Sequence, residues 1–231
     1  YESVLDFDDR PDLDQPNGVW NLGKSEAAEM AKLIETTYRN VNIALANEFA
    51  IHAEELSIDI GNVIQASNSQ PFSHIHNPGV AVGGHCIPVY PKFYLSTHEN
   101  ASLPQAAISV NESMPIRAVE QLKRSFGNDV AKKRVAILGA AYRGGVKETA
   151  FSGVFSLVTQ IAHNGWDPLV HDPLYTDTEL IELGFQPFTL GESCDAAIIQ
   201  TDHEAYKRIT SKDLRAAQYL YYVRGILSQY H

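Results

Sequence analysis

The sequence of 231 residues is 44% hydrophobic and 20% charged, which is enough to bury at least one full core and favours two modest domains. It has 28 Asp and Glu against 18 Lys and Arg, and the formal net charge of -10 argues against nucleic acid as a ligand. The longest apolar runs fall far short of the roughly 20 residues that cross a bilayer, so we expect no membrane segment. Two cysteines cannot form a disulfide framework, which fits a reducing, cytoplasmic location.

Helical periodicity dominates the first half of the chain, after an acidic, proline-containing stretch over 1–23 that is typical of a linker or a cut edge. Apolar residues recur at helical spacing over 25–57 and cover more than one face. A helix that is apolar on most sides needs a second subunit or domain to bury it, so we predict a homodimer formed through this helix. Further helices are predicted over 61–66 and 104–126, the latter kinked or broken just before Pro115.

Short apolar runs alternate with helical segments from about residue 132 onward. Strands are predicted over 134–139, 168–171, 196–200 and 219–223, and helices over 152–164, 178–183 and 204–214. This alternation predicts an α/β fold in which helices cover a parallel sheet. Ligands bind beyond the carboxyl ends of such strands, where the sequence has the loop 139–145, Asp172, the segment 201–203 and Arg224.

A cysteine follows a glycine pair in the loop 78–88, within a stretch rich in Pro, Gly and His. Glycines let backbone N–H groups approach a ligand, and a thiolate from Cys86 could attack an electrophilic carbon such as an aldehyde. The alternative is an inert, buried thiol on a tight turn. Lys32 lies in an otherwise largely apolar helical stretch, where it could carry a proton if partly buried or be an ordinary surface lysine.

Two further kinds of site can be drawn from the sequence. The first is a zinc set of three histidines and one cysteine: His74, His76, His85 and Cys86. Its spacing is not compact and paired, so we predict no metal site. The second is a phosphate cradle in the glycine-rich loop 139–145, with Arg143 as the cation. This loop lacks the G-x-G-x-x-G pattern of a dinucleotide site, and the rest of the chain supplies none.

Seven segments of the chain together match one family pattern: 27–35, 38–48, 83–89, 111–115, 135–142, 201–203 and 224–225. The most specific of them is Gly83-Gly84-His85-Cys86-Ile87-Pro88. On these segments the chain resembles the UDP-glucose/GDP-mannose dehydrogenase family, in particular its bacterial branch acting on UDP-N-acetylhexosamines such as UDP-N-acetylmannosamine. The resemblance runs over about residues 24–228. A free-standing α/β binding domain would require all of these matches to be accidents.

The resemblance implies a three-part enzyme, of which this chain looks like the last two parts. The central part would be an all-helical dimerisation domain over 24–130 that carries the cysteine loop. The last part would be a Rossmann-like, doubly wound parallel-sheet domain over 131–231 that binds the UDP of the substrate. NAD, two equivalents for each uronate formed, would be bound mainly by a preceding Rossmann domain that these residues do not include.

The resemblance also implies roles for individual residues. The C6 alcohol of a UDP-sugar would be oxidised to an aldehyde, which Cys86 captures as a thiohemiacetal. This adduct would be oxidised to a thioester, and hydrolysis of the thioester would release a uronate. Lys32 would assist proton transfer and stabilise the developing oxyanion, and Thr36 stands where the family has an asparagine that holds oxyanion or water. The substrate-binding residues implied are Gly79, Gly83, Gly84, Tyr142, Arg143 and Arg224.

Four polar positions of the family pattern are changed in this chain. Thr36 replaces the asparagine, Tyr90 an aspartate that assists water activation or the lysine, Ala150 an arginine, and Gln70 a basic residue. A neutral phenol cannot act as a carboxylate base near neutral pH. Two hypotheses follow. The chain is part of a working dehydrogenase and is inactive alone, or it is a divergent, catalytically weak member that binds nucleotide sugars or assembles dimers.

Overall fold

Helices form the first half of the chain and a parallel sheet the second, in a computed structural model that describes residues 3–11, 17–129 and 131–223. The first half comprises α1 Ser25–Glu55, α2 Ile60–Ser67, α3 Tyr90–Thr97 and α4 Ser102–Phe126. The second comprises β1 Arg134–Leu138, α5 Val154–His163, β2 Asp167–His171, α6 Asp177–Glu182, β3 Ala196–Ile199, a 3-10 helix Glu204–Arg208 and β4 Tyr219–Tyr221. The predicted succession of a helical part and an α/β part is confirmed. Among the described residues, no helix is long and apolar enough to span a membrane.

The long first helix, α1, buries small and polar side chains and leaves large apolar ones exposed. The buried set is Thr36, Asn40, Ala44, Ala46, Asn47, Ala50 and Ala53. Small side chains allow the backbone of α1 to approach α4, its principal neighbour. The large apolar side chains Met30, Ile34, Tyr38, Leu45 and Phe49 are each at least 42% exposed. Part of the helix surface is therefore apolar and uncovered within this chain.

The second long helix, α4, runs without a break through Pro115, so of the predicted kink or break the break is wrong and the kink stays a prediction. Proline removes one helical hydrogen bond, because it has no N–H to donate to the carbonyl four residues earlier. Met114, Ala118 and Leu122 are buried at helical spacing on both sides of this point. Their packing against neighbouring elements keeps the helix continuous where the local sequence disfavours it.

The sheet has the strand order β2-β1-β3-β4, and every neighbouring pair is parallel. β1 is buried on both faces, with Val135 and Ile137 in one hydrophobic cluster and Ala136 and Leu138 in another. The chain order reverses across β1, which pairs with β2 on one side and β3 on the other. In sheets of this type the carboxyl ends of the strands at such a point border the ligand crevice.

The helical part and the sheet share one hydrophobic cluster. Val80 from the cysteine-bearing loop and Leu122 and Phe126 from α4 pack with Val135 of β1 and Leu157 of α5. The two predicted domains therefore bury apolar surface against each other. The domain limits proposed from the sequence remain predictions, because a shared core does not mark a boundary.

Two further elements differ from the sequence prediction. The helix expected over 204–214 is only the short 3-10 helix, since the backbone turns extended at Ile209. There the Asp213 carboxylate accepts hydrogen bonds from the N–H and the hydroxyl of Thr210, a local turn that competes with helix. Conversely, the sequence analysis predicts no helix between residues 66 and 104, but α3 begins there at Tyr90, and its proline, Pro91, lies in the first turn, where no helical donor is lost.

Candidate functional site

Three asparagine side chains hold the loop that leads to Cys86. Asn42 of α1 donates to the carbonyl of His74 (2.7 Å) and accepts from the N–H of His76 (2.9 Å). Asn68 pairs in the same way with both backbone groups of Ile75, at 2.9 Å each. An amide side chain offers a donor and an acceptor side by side, so it can replace a neighbouring strand for an extended segment. The loop is thereby ordered without secondary structure of its own.

The third asparagine, Asn47, ties the loop to the core of the helical part. Its Oδ1 accepts from the N–H of Gly79 (2.9 Å) and its Nδ2 donates to Oδ1 of Asn111 on α4 (2.9 Å). Asn111 in turn donates to the backbone carbonyl of Asn40 (3.0 Å). These amides are nearly inaccessible to solvent, so each lost partner would leave a buried polar group unpaired. These amides were not predicted from the sequence, although Asn40 and Asn47 share the buried face of α1 with Thr36 and four alanines.

The glycine pair of the loop rests on the aromatic side chain of Tyr142. A Cβ atom at Gly83 would lie 2.5 Å from Cβ of Tyr142, and one at Gly84 would lie 3.0 Å from its ring. Gly84 also has a φ of +84° and donates its N–H to the carbonyl of Ala150 (2.8 Å). Glycine is thus required here by contact with the sheet part. At Gly79 a Cβ would make only an ordinary 3.5 Å contact, with the carbonyl of Ala81.

The two cysteines have different environments. Cys86 is partly exposed, and its carbonyl accepts from the N–H of Tyr90 (2.9 Å), so the thiol stands on the turn that enters α3. Cys194 is only 2% exposed and lies in the hydrophobic cluster with Phe188 and Leu214. Burial raises the pKa of the Cys194 thiol to about 11. Cys194 therefore serves packing, and Cys86 is the accessible thiol.

The ammonium of Lys32 lies between the carboxylate of Glu35 and the ring of Tyr90, at the start of α3. Its Nζ is 3.2 Å from Oε2 of Glu35 and 5.5 Å from the ring centre of Tyr90. The other carboxylate oxygen of Glu35 is 2.6 Å from the guanidinium of Arg39. Because the lysine side chain is 44% exposed, these contacts orient the ammonium more than they stabilise the protein.

Thr36 faces the interior one turn after Lys32, but its hydroxyl is already used. Its Oγ1 donates to the carbonyl of Lys32 (2.8 Å) and lies 3.1 Å from that of Leu33. A hydroxyl has one hydrogen, so donation to a substrate oxygen requires another rotamer. The oxyanion role assigned to Thr36 stays a prediction.

The loop 139–145 after β1 offers little of its backbone to an anion, which argues against the phosphate cradle that its glycines suggested. Six of its seven amide N–H groups donate within the chain: Gly139 to the His171 carbonyl, Ala140 and Ala141 to Asp172, Tyr142 to the Glu148 carbonyl, Gly144 to Asp202 and Gly145 to His203. A phosphate cradle needs free donors that point at the ligand. The remaining amide is that of Arg143, so anion binding at this loop depends mainly on side chains.

A buried aspartate–histidine pair holds this loop from the strand ends. Oδ2 of Asp172, after β2, lies 3.1 Å from Nε2 of His203, after β3, and also accepts from Ala140 and Ala141. Burial alone would raise the pKa of Asp172, but hydrogen bonds from His203, Ala141 and Leu174 outweigh it and the pKa is lowered. The carboxylate is therefore kept charged in an inaccessible position.

Tyr142 and Arg143 are the side chains that this loop presents. Arg143 is exposed, and its guanidinium carbon lies 5.7 Å from the centre of the Tyr142 ring. Tyr142 also contacts the glycine pair before Cys86. The structure thus brings these two predicted residues beside the cysteine loop, whereas the predicted Arg224 lies outside the described residues.

The histidines of the loop hold no metal-like arrangement. In residues 3–11, 17–129 and 131–223, no group of three or more His, Cys, Asp or Glu side chains could hold a metal ion. The backbones of His74 and His76 are instead used by Asn42, as described above.

On the α5 side of the cysteine loop, a cleft of about 350 Å³ is lined by Val82, Pro88, Phe151 and Phe155 among others.

Comparisons with known proteins converge on one family. Models of the central domain and of the UDP binding domain of the UDP-glucose/GDP-mannose dehydrogenase family match residues 26–114 and 136–229. The UDP-N-acetyl-D-mannosamine dehydrogenase of Methanocaldococcus jannaschii is 37% identical over 199 residues, which are 84% of this chain and 44% of that protein. The corresponding enzyme of Pyrococcus horikoshii is 36% identical over 193 residues, 81% of this chain and 45% of that protein.

Solved structures give the same result. The UDP-D-ManNAc dehydrogenase of Pyrococcus horikoshii superposes with a TM-score of 0.71 at 33% identity, over 84% of this chain and 47% of that one. The UDP-N-acetyl-mannosamine dehydrogenase Cap5O of Staphylococcus aureus has a TM-score of 0.71 at 28% identity, over 89% and 48%. The chain spans less than half the length of these relatives.

Proposed function

Because the chain belongs to the UDP-glucose/GDP-mannose dehydrogenase family, we propose that it is the thiol-bearing, nucleotide-sugar-binding part of an NAD-dependent UDP-sugar 6-dehydrogenase. The observation that carries the proposal is the contact of Gly83 and Gly84 with Tyr142, which joins the loop that carries the accessible Cys86 to the loop that carries Tyr142 and Arg143. The names of the relatives support a UDP-N-acetylhexosamine, such as UDP-N-acetyl-D-mannosamine, as the substrate class.

In the proposed reaction Cys86 holds the sugar between two oxidations at C6. The thiolate adds to the C6 aldehyde and forms a C–S bond, which gives a thiohemiacetal. Oxidation of this adduct gives a thioester, and attack by water then breaks the C–S bond, releases the uronate and returns the thiol. The ammonium of Lys32 stabilises the oxygen that becomes negative as the thiolate adds. Glu35 and the Tyr90 ring keep this ammonium at the start of α3.

Side chains rather than loop amides would bind the UDP group. The Arg143 guanidinium can pair with the pyrophosphate through two parallel hydrogen bonds, and Tyr142 provides an aromatic surface next to it. Gly79, Gly83 and Gly84 would line the sugar, and Arg224 would support the same pocket.

The described residues do not fit NAD at the loop where a Rossmann-like sheet would hold it. Backbone donors at Ala140, Ala141, Gly144 and Gly145 already have acceptors within the chain, so a pyrophosphate finds no cradle there. NAD takes up the two hydrides of the reaction, and we assign its binding to a domain outside these 231 residues.

A homodimer formed through α1 belongs to the same proposal. The uncovered apolar side chains of α1, including Ile34 and Tyr38 at more than half exposure, support an interface between two copies of the helix. We place the limits of the helical domain at 24–130 and of the UDP-binding domain at 131–231. Sedimentation at micromolar concentration tests the dimer, and a monomeric profile contradicts it.

One observation favours a second function, that of a catalytically weak nucleotide-sugar-binding module. The Thr36 hydroxyl is used within α1, and Tyr90 supplies no carboxylate beside Lys32. If neither residue activates water, a thioester on Cys86 would not be hydrolysed, although the nucleotide sugar could still bind.

The test is limited alkylation of the 231-residue chain near neutral pH, followed by mass analysis of the cysteine peptides. We expect iodoacetamide to modify Cys86 and UDP-N-acetyl-D-mannosamine to slow that modification. Cys194 is the internal control, because its buried thiol stays protonated. Binding of the nucleotide sugar by calorimetry with an unreactive Cys86 would favour the binding module, and absence of binding would contradict both functions.

A matched pair of variants tests the UDP contact. Arg143→Ala should abolish the protection of Cys86 by the nucleotide sugar. Lys147→Ala removes another exposed cation, in the following segment, one that pairs with Glu179, and should leave the protection intact. Equal protection in both variants would contradict the role of Arg143.

A further inference from the structure

The pair formed by Asp172 and His203 fills the place in the sheet where a ligand crevice is expected. The two residues follow β2 and β3, on either side of β1, and they are 2% and 3% exposed. In parallel sheets a ligand binds at this reversal of strand order. Here the position is occupied by the protein's own carboxylate and imidazole, 3.1 Å apart.

The hydrogen bonds define the state of the histidine. Nδ1 of His203 accepts from the N–H of Gly145 at 3.2 Å, so it carries no hydrogen. The hydrogen is then on Nε2, which donates to Oδ2 of Asp172. His203 thus connects the end of the loop, at Gly145, to the carboxylate that holds its beginning, at Ala140 and Ala141.

The loop is therefore fixed at both ends, and only its middle projects. Asp202, next to His203, also accepts from the N–H of Gly144. Between these anchors stand Tyr142, which contacts Gly83 and Gly84, and the exposed Arg143. If these hydrogen bonds are lost, the Tyr142 ring can shift, and with it the surface on which Gly83 and Gly84 rest.

A buried ionisable pair is weak evidence for stability, since apolar side chains of similar volume often do as well. We propose that Asp172 and His203 are positioning residues of the nucleotide-sugar site, acting through the loop 139–145 to orient Tyr142 and Arg143. This inference rests on the proposed function for the ligand, but its structural part concerns this chain alone.

The test compares His203→Asn with Tyr206→Phe in the 231-residue chain. Asparagine can still accept from Gly145 but is too short to reach Asp172. Tyr206→Phe removes a neighbouring buried hydrogen bond, from the Tyr206 hydroxyl to the His171 carbonyl (2.9 Å), and leaves that carbonyl to accept from the N–H of Gly139, so the loop keeps its anchors. We expect His203→Asn to weaken UDP binding, measured by calorimetry, by about tenfold or more, as when a binding group is displaced from its support. Tyr206→Phe should bind UDP like the unmodified chain.

Amide hydrogen exchange and Cys86 alkylation without nucleotide give the readout that is independent of UDP. In His203→Asn the amides of Ala140 and Ala141 should exchange faster and Cys86 should be alkylated faster, with neither change in Tyr206→Phe. Unchanged exchange and unchanged UDP affinity in His203→Asn would overturn the inference, as would equal effects in the two variants. If the unmodified chain does not bind UDP, the proposed ligand is wrong, and exchange and alkylation still decide the positioning role.

Discussion

The loop that carries Cys86 and the loop after β1 have similar compositions but opposite hydrogen-bonding states. Each contains three glycines, at 79, 83 and 84 in the first and at 139, 144 and 145 in the second. In the second loop six of seven backbone N–H groups donate to partners within the chain. Over 79–86, among the described residues, only Gly79 and Gly84 have such acceptors.

This difference teaches that glycine content alone does not identify an anion-binding loop. Glycine permits a close approach, but the approaching group can be the protein itself. At Gly139 it is Thr201, and at Gly83 it is Tyr142. What decides whether a loop can bind an anion is which N–H groups lack an internal acceptor. By that criterion the available backbone donors belong to the cysteine loop, and the loop after β1 supports it.

The largest loss of stability is expected from Gly139→Ala, which disturbs the loop after β1. A Cβ there would lie 2.2 Å from the Thr201 side chain, and the residue has a φ of +116°. We expect the sheet part to lose about 3 kcal/mol or more of unfolding free energy, or not to fold. Gly184→Ala is the matched control, since its φ is +86° with no atom within 4 Å of the new Cβ. Urea unfolding measures both, and equal losses would show that backbone strain alone, not the contact with Thr201, fixes this loop.

A smaller loss of stability is expected from Asn47→Ala, which removes the hydrogen bonds that tie the cysteine loop to α1 and α4. The change leaves the buried side-chain oxygen Oδ1 of Asn111 and the partly buried N–H of Gly79 without these partners. The expected cost is about 2 kcal/mol of unfolding free energy. Asn42→Ala removes the same type of anchor at a position that water can reach, so it should cost about 0.5 kcal/mol. If both cost the same, the buried amide chain contributes nothing beyond loop anchoring.

Gly83→Ala tests the place where the two loops meet. The new Cβ would clash with Cβ of Tyr142 and approach the Phe151 carbonyl at 3.0 Å. We expect a local loss of about 1 to 2 kcal/mol and faster alkylation of Cys86, because the loop separates from its seat. Gly79→Ala meets only an ordinary contact and should change neither quantity. Unchanged alkylation in Gly83→Ala would mean that the contact between Gly83 and Tyr142 does not control access to the Cys86 thiol.

The sequence was sufficient to predict features set by local periodicity. The helix beginning at Ser25, the strands over 134–139 and 196–200 and the parallel sheet follow from spacing and alternation. The structure confirms them, with each of these two strands one residue shorter. The helix that was not predicted and the helix that was predicted too long lie where a proline or a local turn determines the backbone conformation. At Pro91 the ring sits harmlessly in the first turn of α3, and at Asp213 the carboxylate captures the backbone of Thr210.

The site was less predictable because its anchors are distant in sequence. Asp172 and His203 reach the loop 139–145 from other strands, 31 residues apart from each other, and Asn47 meets Asn111 across 64 residues. No periodic pattern encodes such meetings. A polar residue at a buried position was the available signal, as at Asn47 on the alanine-lined face of α1.

The smallest effect is expected from acid, which tests whether the support depends on a charged Asp172. The pKa of Asp172 is lowered in the folded protein, so its carboxylate contributes stability that is fully present above the unfolded-state pKa of about 3.9. That contribution is lost as the pH falls through the folded-state value. Between pH 5 and pH 3 the unfolding free energy of the unmodified chain should therefore fall more steeply than that of Asp172→Asn, which has no proton to bind there. The exposed Glu179, whose pKa is lowered to about 2, contributes equally to both curves. Parallel curves in urea unfolding would mean that Asp172 carries no pH-dependent stability, and that the loop after β1 is supported by its neutral hydrogen bonds alone.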